Sequence, residues 1–256
     1  MMLVLVTGPA GVLGSAVIAR LLDRGHLVRA LVRRTALDWP SPVQVVRGDV
    51  RSGEGVAGAC AGVPAVIHAA TSPLRAARAT EVDGARNVVR ASAAAGAHVI
   101  YPSIVGIDSI GGTYYRAKLA AEHLVAAGPH WTIQRATQFH PLVNRMLSWR
   151  VFPVTSRLSF QPVDAGDLAS RLVDLAEAGP AGRAGDFGGP QVLTVRDLAA
   201  VRRSVTGRRT ALIPVPPAGP LRALDAGRNL CPDHALGKVT WREWLEENCA
   251  RGVNRA

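Results

Sequence analysis

The 256-residue sequence has few lysines and few aromatic side chains, and both shortages narrow its possible partners. Lys118 and Lys238 are the only lysines among 30 basic residues, so the net charge of +11 comes almost wholly from arginines. These arginines are spread along the chain and form no basic run, and aromatic residues for base stacking amount to only 5%. We therefore expect no nucleic-acid partner and interpret the charge as a preference for an anionic small ligand.

Cysteine is also scarce, and the sequence has no long apolar stretch. Cys60, Cys231 and Cys249 are odd in number and form no CxxC pair, which favours neither a disulfide framework nor a metal site. The apolar segment 1–6 is short and is typical of a first strand, and no later stretch approaches the length of a membrane span. These features predict a cytoplasmic protein without a metal or a membrane contact.

Apolar runs and amphipathic segments alternate through the first half of the chain. The pattern predicts strands at 3–6, 27–32, 43–46, 65–68, 98–101 and 131–135, with helices at 12–24, 82–95 and 114–127. Later segments predict helices at 167–178, from 193 and at 241–249, and a proline-rich loop at 213–220. Such alternation predicts an α/β fold, a Rossmann-type doubly wound parallel sheet with a small C-terminal substrate-binding portion. We place the dinucleotide-binding domain at 1–140 and the smaller portion, partly interwoven with it, at 141–256.

A glycine-rich turn follows the first predicted strand and opens the first helix. In a dinucleotide site, Gly8 would make the tight turn, Gly11 would let the backbone approach a pyrophosphate, and Gly14 would allow close packing of helix on sheet. The N-terminus of the helix would present free N–H groups to the phosphates. An ordinary strand–helix turn is the alternative. The segment predicts these cofactor-binding residues: Thr7, Gly8, Ala10, Gly11, Val12, Leu13 and Gly14.

The residues at the end of the second strand favour a particular dinucleotide. Arg33 and Arg34 stand where an acidic residue would bind the ribose hydroxyls of NAD(H), and arginine suits a 2′-phosphate instead. We therefore predict NADP(H) as the cofactor. Asp38 lies close by in sequence and keeps NAD(H) as the alternative.

Two further strand ends offer cofactor contacts. Asp49 and Val50 follow the third strand, where a carboxylate can meet the adenine amino group, although a simple turn explains the pair as well. Ala69, Ala70 and Thr71 follow the fourth strand, where small residues let a ribose approach. His68, at the end of that strand, is interpreted as a structural histidine.

Tyr114 and Lys118 lie four residues apart on a predicted helix and therefore share one face. Carbonyl reduction needs an acid that protonates the developing alkoxide, and a nearby ammonium favours the ionised form of a phenol. The same lysine can bind the nicotinamide ribose. Ser103 follows the fifth predicted strand, where its hydroxyl can either bind the substrate oxygen or cap a turn.

These residues together resemble the short-chain dehydrogenase/reductase superfamily, in its atypical or extended branch of NmrA-like NAD(P)H-binding proteins. The resemblance rests on the following segments: 7–14, Arg33, 48–50, 66–70, 114–118, 133–139, 163–169 and 188–191. It implies a Rossmann fold, a dinucleotide cofactor and a catalytic Tyr114, Lys118 and Ser103. Related enzymes often place the active hydroxyl one or two residues later, where this chain has Ile104 and Val105.

Three functions compete at this point. The first is an NADPH-dependent oxidoreductase that transfers hydride to a small carbonyl, quinone or imine-like substrate, in a pocket with Thr137, Phe139, His140 and Phe160 as candidate lining. The second is an NmrA-like redox sensor that binds dinucleotide without turnover. The third is a nucleotide-sugar epimerase or dehydratase, which the short chain and Arg33 disfavour. The oligomeric state is left open, with a homodimer as one possibility.

Overall fold

Seven parallel strands form the central sheet of the computed structural model, which describes residues 1–34, 39, 42–72 and 77–250. The strands are β1 (Leu3–Thr7), β2 (Leu27–Val32), β3 (Val43–Arg47), β4 (Ala65–His68), β5 (His98–Ile104), β6 (Trp131–Ala136) and, later in the chain, β9 (Gly182–Arg183). Their order is β3-β2-β1-β4-β5-β6-β9, so the chain reverses its direction of winding between β1 and β4. Clefts at the carboxyl ends of strands beside such a reversal bind ligands in this class of fold. The predicted Rossmann-type sheet is confirmed.

Helices connect the strands. The helices of the first half are α1 (Val12–Asp23), α2 (Val56–Cys60), α3 (Gly84–Ala95), α4 (Ile107–Ile110) and α5 (Thr113–Ala126), and a π-helical turn, Ala79–Asp83, precedes α3. The second half contains α6 (His140–Leu147), α7 (Ala165–Ala178), α8 (Val195–Thr206), α9 (Pro220–Asp225) and α10 (Trp241–Ala250). Its short strands are β7 (Val151–Val154), β8 (Ser159–Phe160), β10 (Leu193–Thr194) and β11 (Ala211–Pro214). No helix within the described ranges is long and apolar enough to cross a membrane.

The chain divides into two compact units that interleave in sequence. Among the described residues, unit 1 comprises Met1–Ser103, Gly112–Gln134 and Leu168–Gly185. Unit 2 comprises Ile104–Gly111, Arg135–Asp167 and Asp186–Ala256. The assignment of cofactor binding to 1–140 and substrate binding to 141–256 stays a proposal about function.

Each unit has its own buried core. In unit 1, apolar side chains of β1, β4 and α3 pack together around Leu5, Val66 and Val88. In unit 2, residues of α6, α8 and α10 pack around Leu198 and Trp241. Burial of these apolar side chains supplies most of the stabilising free energy of each unit.

Some predicted boundaries were wrong. The strand predicted at 98–101 continues to Ile104, because Pro102 and Ser103 are buried along it. The loop predicted at 213–220 begins within β11, which runs parallel to β7 and ends at Pro214. Strands of four residues carry too little periodicity to be detected in sequence.

Candidate active site

The glycine turn between β1 and α1 leaves no room for side chains at two of its positions. Gly8 has a φ of +65°, and a Cβ atom there would lie 2.6 Å from the Cα atom of Ala70. A Cβ atom on Gly14 would lie 2.1 Å from the carbonyl oxygen of Gly8. Glycine is therefore required at both positions, for the tight turn and for helix packing as predicted.

The start of α1 offers donors for an anion. Gly11 is the N-cap of α1, and no side chain in the described part of the chain caps the helix. Ala10, Gly11 and Val12 are exposed. The first N–H groups of a helix lack intrahelical acceptors and carry the positive end of the helix dipole. Leu13 instead turns inward and is buried. The turn therefore fits the pyrophosphate of a dinucleotide.

The residues after β4 connect the glycine turn to the predicted catalytic helix. The buried hydroxyl of Thr7 accepts a hydrogen bond from the Ala70 N–H at 3.3 Å and is hydrogen-bonded to His68 Nδ1 at 2.7 Å. One residue further, the Thr71 hydroxyl lies 2.9 Å from the Tyr114 hydroxyl. The segment from Ala69 to Thr71 thus places the phenol of Tyr114 next to the carboxyl end of β4.

Tyr114 and Lys118 both lie on α5, one turn apart, but their polar atoms have different partners. Lys118 is buried and donates to the Tyr101 hydroxyl at 3.0 Å and to Glu81 Oε2 at 3.4 Å. Its ammonium also lies 4.3 Å from the centre of the Tyr101 ring. The ammonium is linked to Tyr114 through Glu81 and Thr71.

Glu81 is the central member of this cluster, and the sequence analysis missed it. Its carboxylate is completely buried and accepts four hydrogen bonds. The donors are the Thr71 hydroxyl (2.5 Å), the Ser72 N–H (3.2 Å), the Tyr101 hydroxyl (3.1 Å) and Lys118 Nζ (3.4 Å). Glu81 lies in the π-helical turn before α3, and such turns are frequent at functional sites.

The charges of the cluster support one another. Burial raises the pKa of Glu81, but Lys118 and the hydrogen bonds from Thr71 and Ser72 outweigh it and hold that pKa below its usual value. Burial lowers the pKa of Lys118, whereas Tyr101 and Glu81 raise it, and the net result lies above its usual value. Burial raises the pKa of Tyr101 far above its ordinary value, against the effect of Lys118. The cluster therefore holds an ionised Glu81, an ionised Lys118 and a neutral Tyr101 at neutral pH.

The Ser103 hydroxyl and His68 Nε2 are buried polar atoms with no hydrogen-bond partner among the described residues. Ser103 lies on β5, is 6% exposed, and its hydroxyl makes no hydrogen bond there. His68 Nε2 is likewise unpaired, and its ring stacks on Tyr101 with 5.7 Å between the ring centres. Burial lowers the pKa of His68 to about 4, which keeps the imidazole neutral. Its packing agrees with the structural role predicted for it, and the predicted role of Ser103 stays a prediction.

The predicted adenosine-side residues follow β2 and β3. Arg33 and Arg34 are exposed. Asp49 accepts hydrogen bonds from the Arg51 backbone N–H at 2.9 Å and from its guanidinium at 3.0 Å. Burial raises the pKa of Asp49, but Arg51 and Arg33 bring it below its usual value, so Asp49 is ionised. The side chain of Val50 is buried, and Asp38 lies outside the described residues.

Most of the candidate pocket residues of unit 2 have packing roles. Thr137 donates to the Gln161 carbonyl at 2.5 Å, and Phe160 is buried in the core. His140 is fully buried, donates through Nε2 to the Val239 carbonyl at 3.1 Å, and stacks on Trp241. His140 is therefore a structural histidine. Among the described residues no group of three or more potential ligands is placed to hold a metal ion.

Several known proteins are similar to this chain in sequence or in fold. The chain is 29% identical over 220 residues to the (4-alkanoyl-5-oxo-2,5-dihydrofuran-3-yl)methyl phosphate reductase of Streptomyces griseus, a match that covers 80% of this chain and 74% of that protein. The NADPH-dependent quinone oxidoreductase QOR2 of Escherichia coli, solved with NADPH, superposes with a TM-score of 0.79 at 18% identity, over 95% of this chain and 99% of that one. The Bordetella bronchiseptica enzyme WbmH, solved with NAD+, gives 0.75 at 17% identity, over 99% of both chains.

Other relatives match over shorter segments. Uncharacterised mycobacterial proteins are 37% identical over 95 residues, which is 37% of this chain but only 11% of their length. The model of a family described as NAD(P)H-binding matches residues 8–143, more than half of the chain, and this segment contains the glycine turn, Glu81, Tyr114 and Lys118. The chain therefore belongs to the NAD(P)H-binding family, as the resemblance in its sequence implied.

Proposed function

We propose that the protein is an NADPH-dependent reductase of a small carbonyl, quinone or imine-like substrate. One observation carries the proposal: Ala70 contacts the glycine turn, and the next residue, Thr71, holds the hydroxyl of Tyr114. The turn proposed as the phosphate cradle and the residue proposed as the proton donor thus both contact the same short segment of unit 1. Hydride transfer requires the protein to position the nicotinamide against the substrate, and this arrangement would place both next to the proton donor.

The cofactor would be held along the carboxyl ends of β1, β2 and β4. We assign the pyrophosphate to the N–H groups that follow Gly8 at the start of α1, and the 2′-phosphate to Arg33 and Arg34. Arg33 is close enough to Asp49 to lower its pKa, and its positive charge near the proposed adenosine end supports this assignment. We assign the contacts with adenine to Asp49 and Val50. The ribose would contact Ala69, Ala70 and Thr71.

The chain's own residues would handle the proton and the substrate oxygen. When bound, NADPH supplies the hydride that reduces the substrate carbon. Tyr114 donates its hydroxyl proton to the substrate oxygen as negative charge develops there. Ser103 donates a hydrogen bond to the same oxygen, which would pair the hydroxyl that lacks a partner among the described residues. Two N–H groups of Lys118 donate to Tyr101 and Glu81, and we assign the third to the nicotinamide ribose.

The proposal is tested by mixing purified protein with NADPH and a panel of quinones, ketones and imines, and following loss of the NADPH absorbance. Consumption with at least one substrate class is the expected result. Binding is measured separately by fluorescence titration with NADPH and NADH. Tight binding without consumption across the panel would replace the reductase with the dinucleotide sensor.

A further inference from the structure

The hydroxyl groups of Thr71 and Tyr114 are oriented by the carboxylate of Glu81. The ionised carboxylate can only accept, so the single hydroxyl proton of Thr71 points to Glu81 Oε1 at 2.5 Å. The Thr71 oxygen can then only accept from Tyr114, whose hydroxyl lies 2.9 Å away. In this arrangement the phenol donates its proton to Thr71.

When Tyr114 loses that proton, its oxygen changes from a hydrogen-bond donor to an acceptor. A Tyr114 phenolate has no proton to give and requires a donor, and the Thr71 hydroxyl already lies within hydrogen-bonding distance of it. Rotation of the Thr71 hydroxyl would transfer its hydrogen bond from Glu81 to the phenolate. Glu81 would keep its three other donors: the Ser72 N–H, the Tyr101 hydroxyl and Lys118. The carboxylate then keeps three of its four donors, and the hydrogen bond that it loses is replaced by another charge-assisted bond, from Thr71 to the phenolate, so the exchange is nearly balanced.

We propose that Thr71 is a two-way hydrogen-bonding partner of the catalytic phenol, donating to Glu81 while Tyr114 is protonated and to Tyr114 once it is ionised. Thr71 contacts the phenol oxygen of Tyr114 directly. Glu81 is a positioning residue, because it accepts the hydrogen bond of the Thr71 hydroxyl until the phenolate forms. This inference rests on the proposed reductase function.

The proton balance of the step is simple. Tyr114 gives its proton to the substrate oxygen, and the Thr71 hydroxyl rotates without losing its own proton. The phenolate later takes up one proton from the bulk solvent, which is the proton that the reduction consumes. Thr71 is exposed and Tyr114 is half-buried, so water can reach the pair. Lys118 acts at the opposite oxygen of Glu81, where it fixes the carboxylate.

Thr71→Val tests the proposal, because valine keeps the shape of threonine and removes the hydroxyl. We expect kcat to fall by about 100-fold, the usual effect of removing a donor to a developing oxyanion, with the Kd of NADPH within about threefold of wild type. Thr71→Ser restores the hydroxyl and should recover most of the lost rate. Thr113→Val, at an exposed position on α5, is the matched control and should behave as wild type.

A second readout needs no cofactor. The chain has three tyrosines, so the 13Cζ signals of labelled tyrosine can be assigned with one Tyr→Phe variant each. In the cofactor-free protein, the Tyr114 signal should move in Thr71→Val and Glu81→Gln and stay in place in Thr71→Ser and Thr113→Val. An unmoved signal in Thr71→Val would overturn the hydrogen bond, and a moved signal with wild-type kcat would overturn its catalytic role. A wild-type protein that consumes no NADPH would instead remove the proposed function, and the inference with it.

Discussion

Glu81 and Lys118 form an ion pair inside unit 1, with 3.4 Å between Oε2 and Nζ and side-chain exposures of 0% and 8%. Removing two charges from water is costly, and attraction between them offsets that cost only when their other polar atoms are also bonded. Here the Tyr101 hydroxyl is hydrogen-bonded to both Glu81 and Lys118. The other carboxylate oxygen of Glu81 accepts hydrogen bonds from Thr71 and Ser72. The pair therefore stabilises the fold only while both partners are present.

Lys118→Met should lower the free energy of unfolding by about 3–5 kcal/mol, because it removes the ammonium that pairs with the buried carboxylate of Glu81. Urea denaturation of the cofactor-free protein measures the change. The double variant Lys118→Met with Glu81→Gln should recover part of the loss. Arg242→Met breaks an exposed ion pair with Glu246 and should cost less than about 1 kcal/mol. Equal losses for Lys118→Met and Arg242→Met would show that burial of the first pair has no energetic consequence.

Tyr114→Phe should reduce kcat by at least about 100-fold while the Kd of NADPH stays near that of wild type, since it removes the acid and leaves the phosphate cradle intact. Steady-state kinetics with the best substrate of the panel measure kcat, and fluorescence titration measures the Kd of NADPH. Tyr115→Phe is the matched control, because Tyr115 is its neighbour in the chain and packs edge-on against its ring. Undiminished turnover in Tyr114→Phe would exclude Tyr114 as the acid.

Gly8→Ala should abolish measurable NADPH binding and lower stability, because the new Cβ atom would lie 2.6 Å from Ala70 and the residue has a φ of +65°. Gly58 offers a matched control within α2, where a Cβ atom would meet no described residue within 4 Å. Gly58→Ala should be neutral or stabilise the protein by up to about 1 kcal/mol, because alanine favours helix. Thermal unfolding and NADPH titration of both variants separate the two outcomes. NADPH binding retained by Gly8→Ala would contradict the assignment of this turn.

The sequence predicts the glycine turn and the helix with Tyr114 and Lys118 because each depends on residues close together in the chain. Glu81 could not be found in this way. Its side-chain partners lie 10 to 37 residues away, and a single glutamate before a predicted helix resembles an ordinary solvent-facing residue. The role of Tyr101 in this cluster could not be predicted either, because it lies in a buried strand whose apolar pattern predicts only core packing. The hydrogen-bonded path from Tyr114 to Lys118 through Thr71 and Glu81 could therefore not be predicted from their spacing, and the catalytic pairing of the two residues stays a prediction.

Arg33→Asp should weaken NADPH binding by at least about 10-fold and NADH binding much less, because it replaces a partner of the 2′-phosphate with a like charge. Arg196→Asp makes the same change of charge at an exposed position on α8 and controls for net charge. Titrations with both dinucleotides at two salt concentrations give the ratio of the dissociation constants. Parallel losses for NADPH and NADH in Arg33→Asp would refute the proposed preference for NADP(H).

His68 should make the protein less stable in mild acid. Burial lowers its pKa from 6.5 to about 4, with Glu81 opposing and Lys118 adding to the shift. Between these two values the unfolded chain binds a proton that the folded protein does not, so stability rises with pH across the interval. Above pH 6.5, protonation of His68 takes nothing from the free energy of unfolding. As the pH falls towards 4, the free energy of unfolding decreases by roughly 3 kcal/mol.

His68→Gln removes this titration and keeps polar atoms that can reach the Thr7 hydroxyl. We therefore expect the free energy of unfolding, measured by urea denaturation at several pH values, to depend less on pH in His68→Gln than in wild type between pH 4 and 6.5. His123→Gln, at an exposed site on α5, should keep the wild-type slope. Because Glu81 and Lys118 remain in both variants, a slope unchanged by His68→Gln would mean that other groups carry the acid sensitivity and that the imidazole is not neutral in the folded protein.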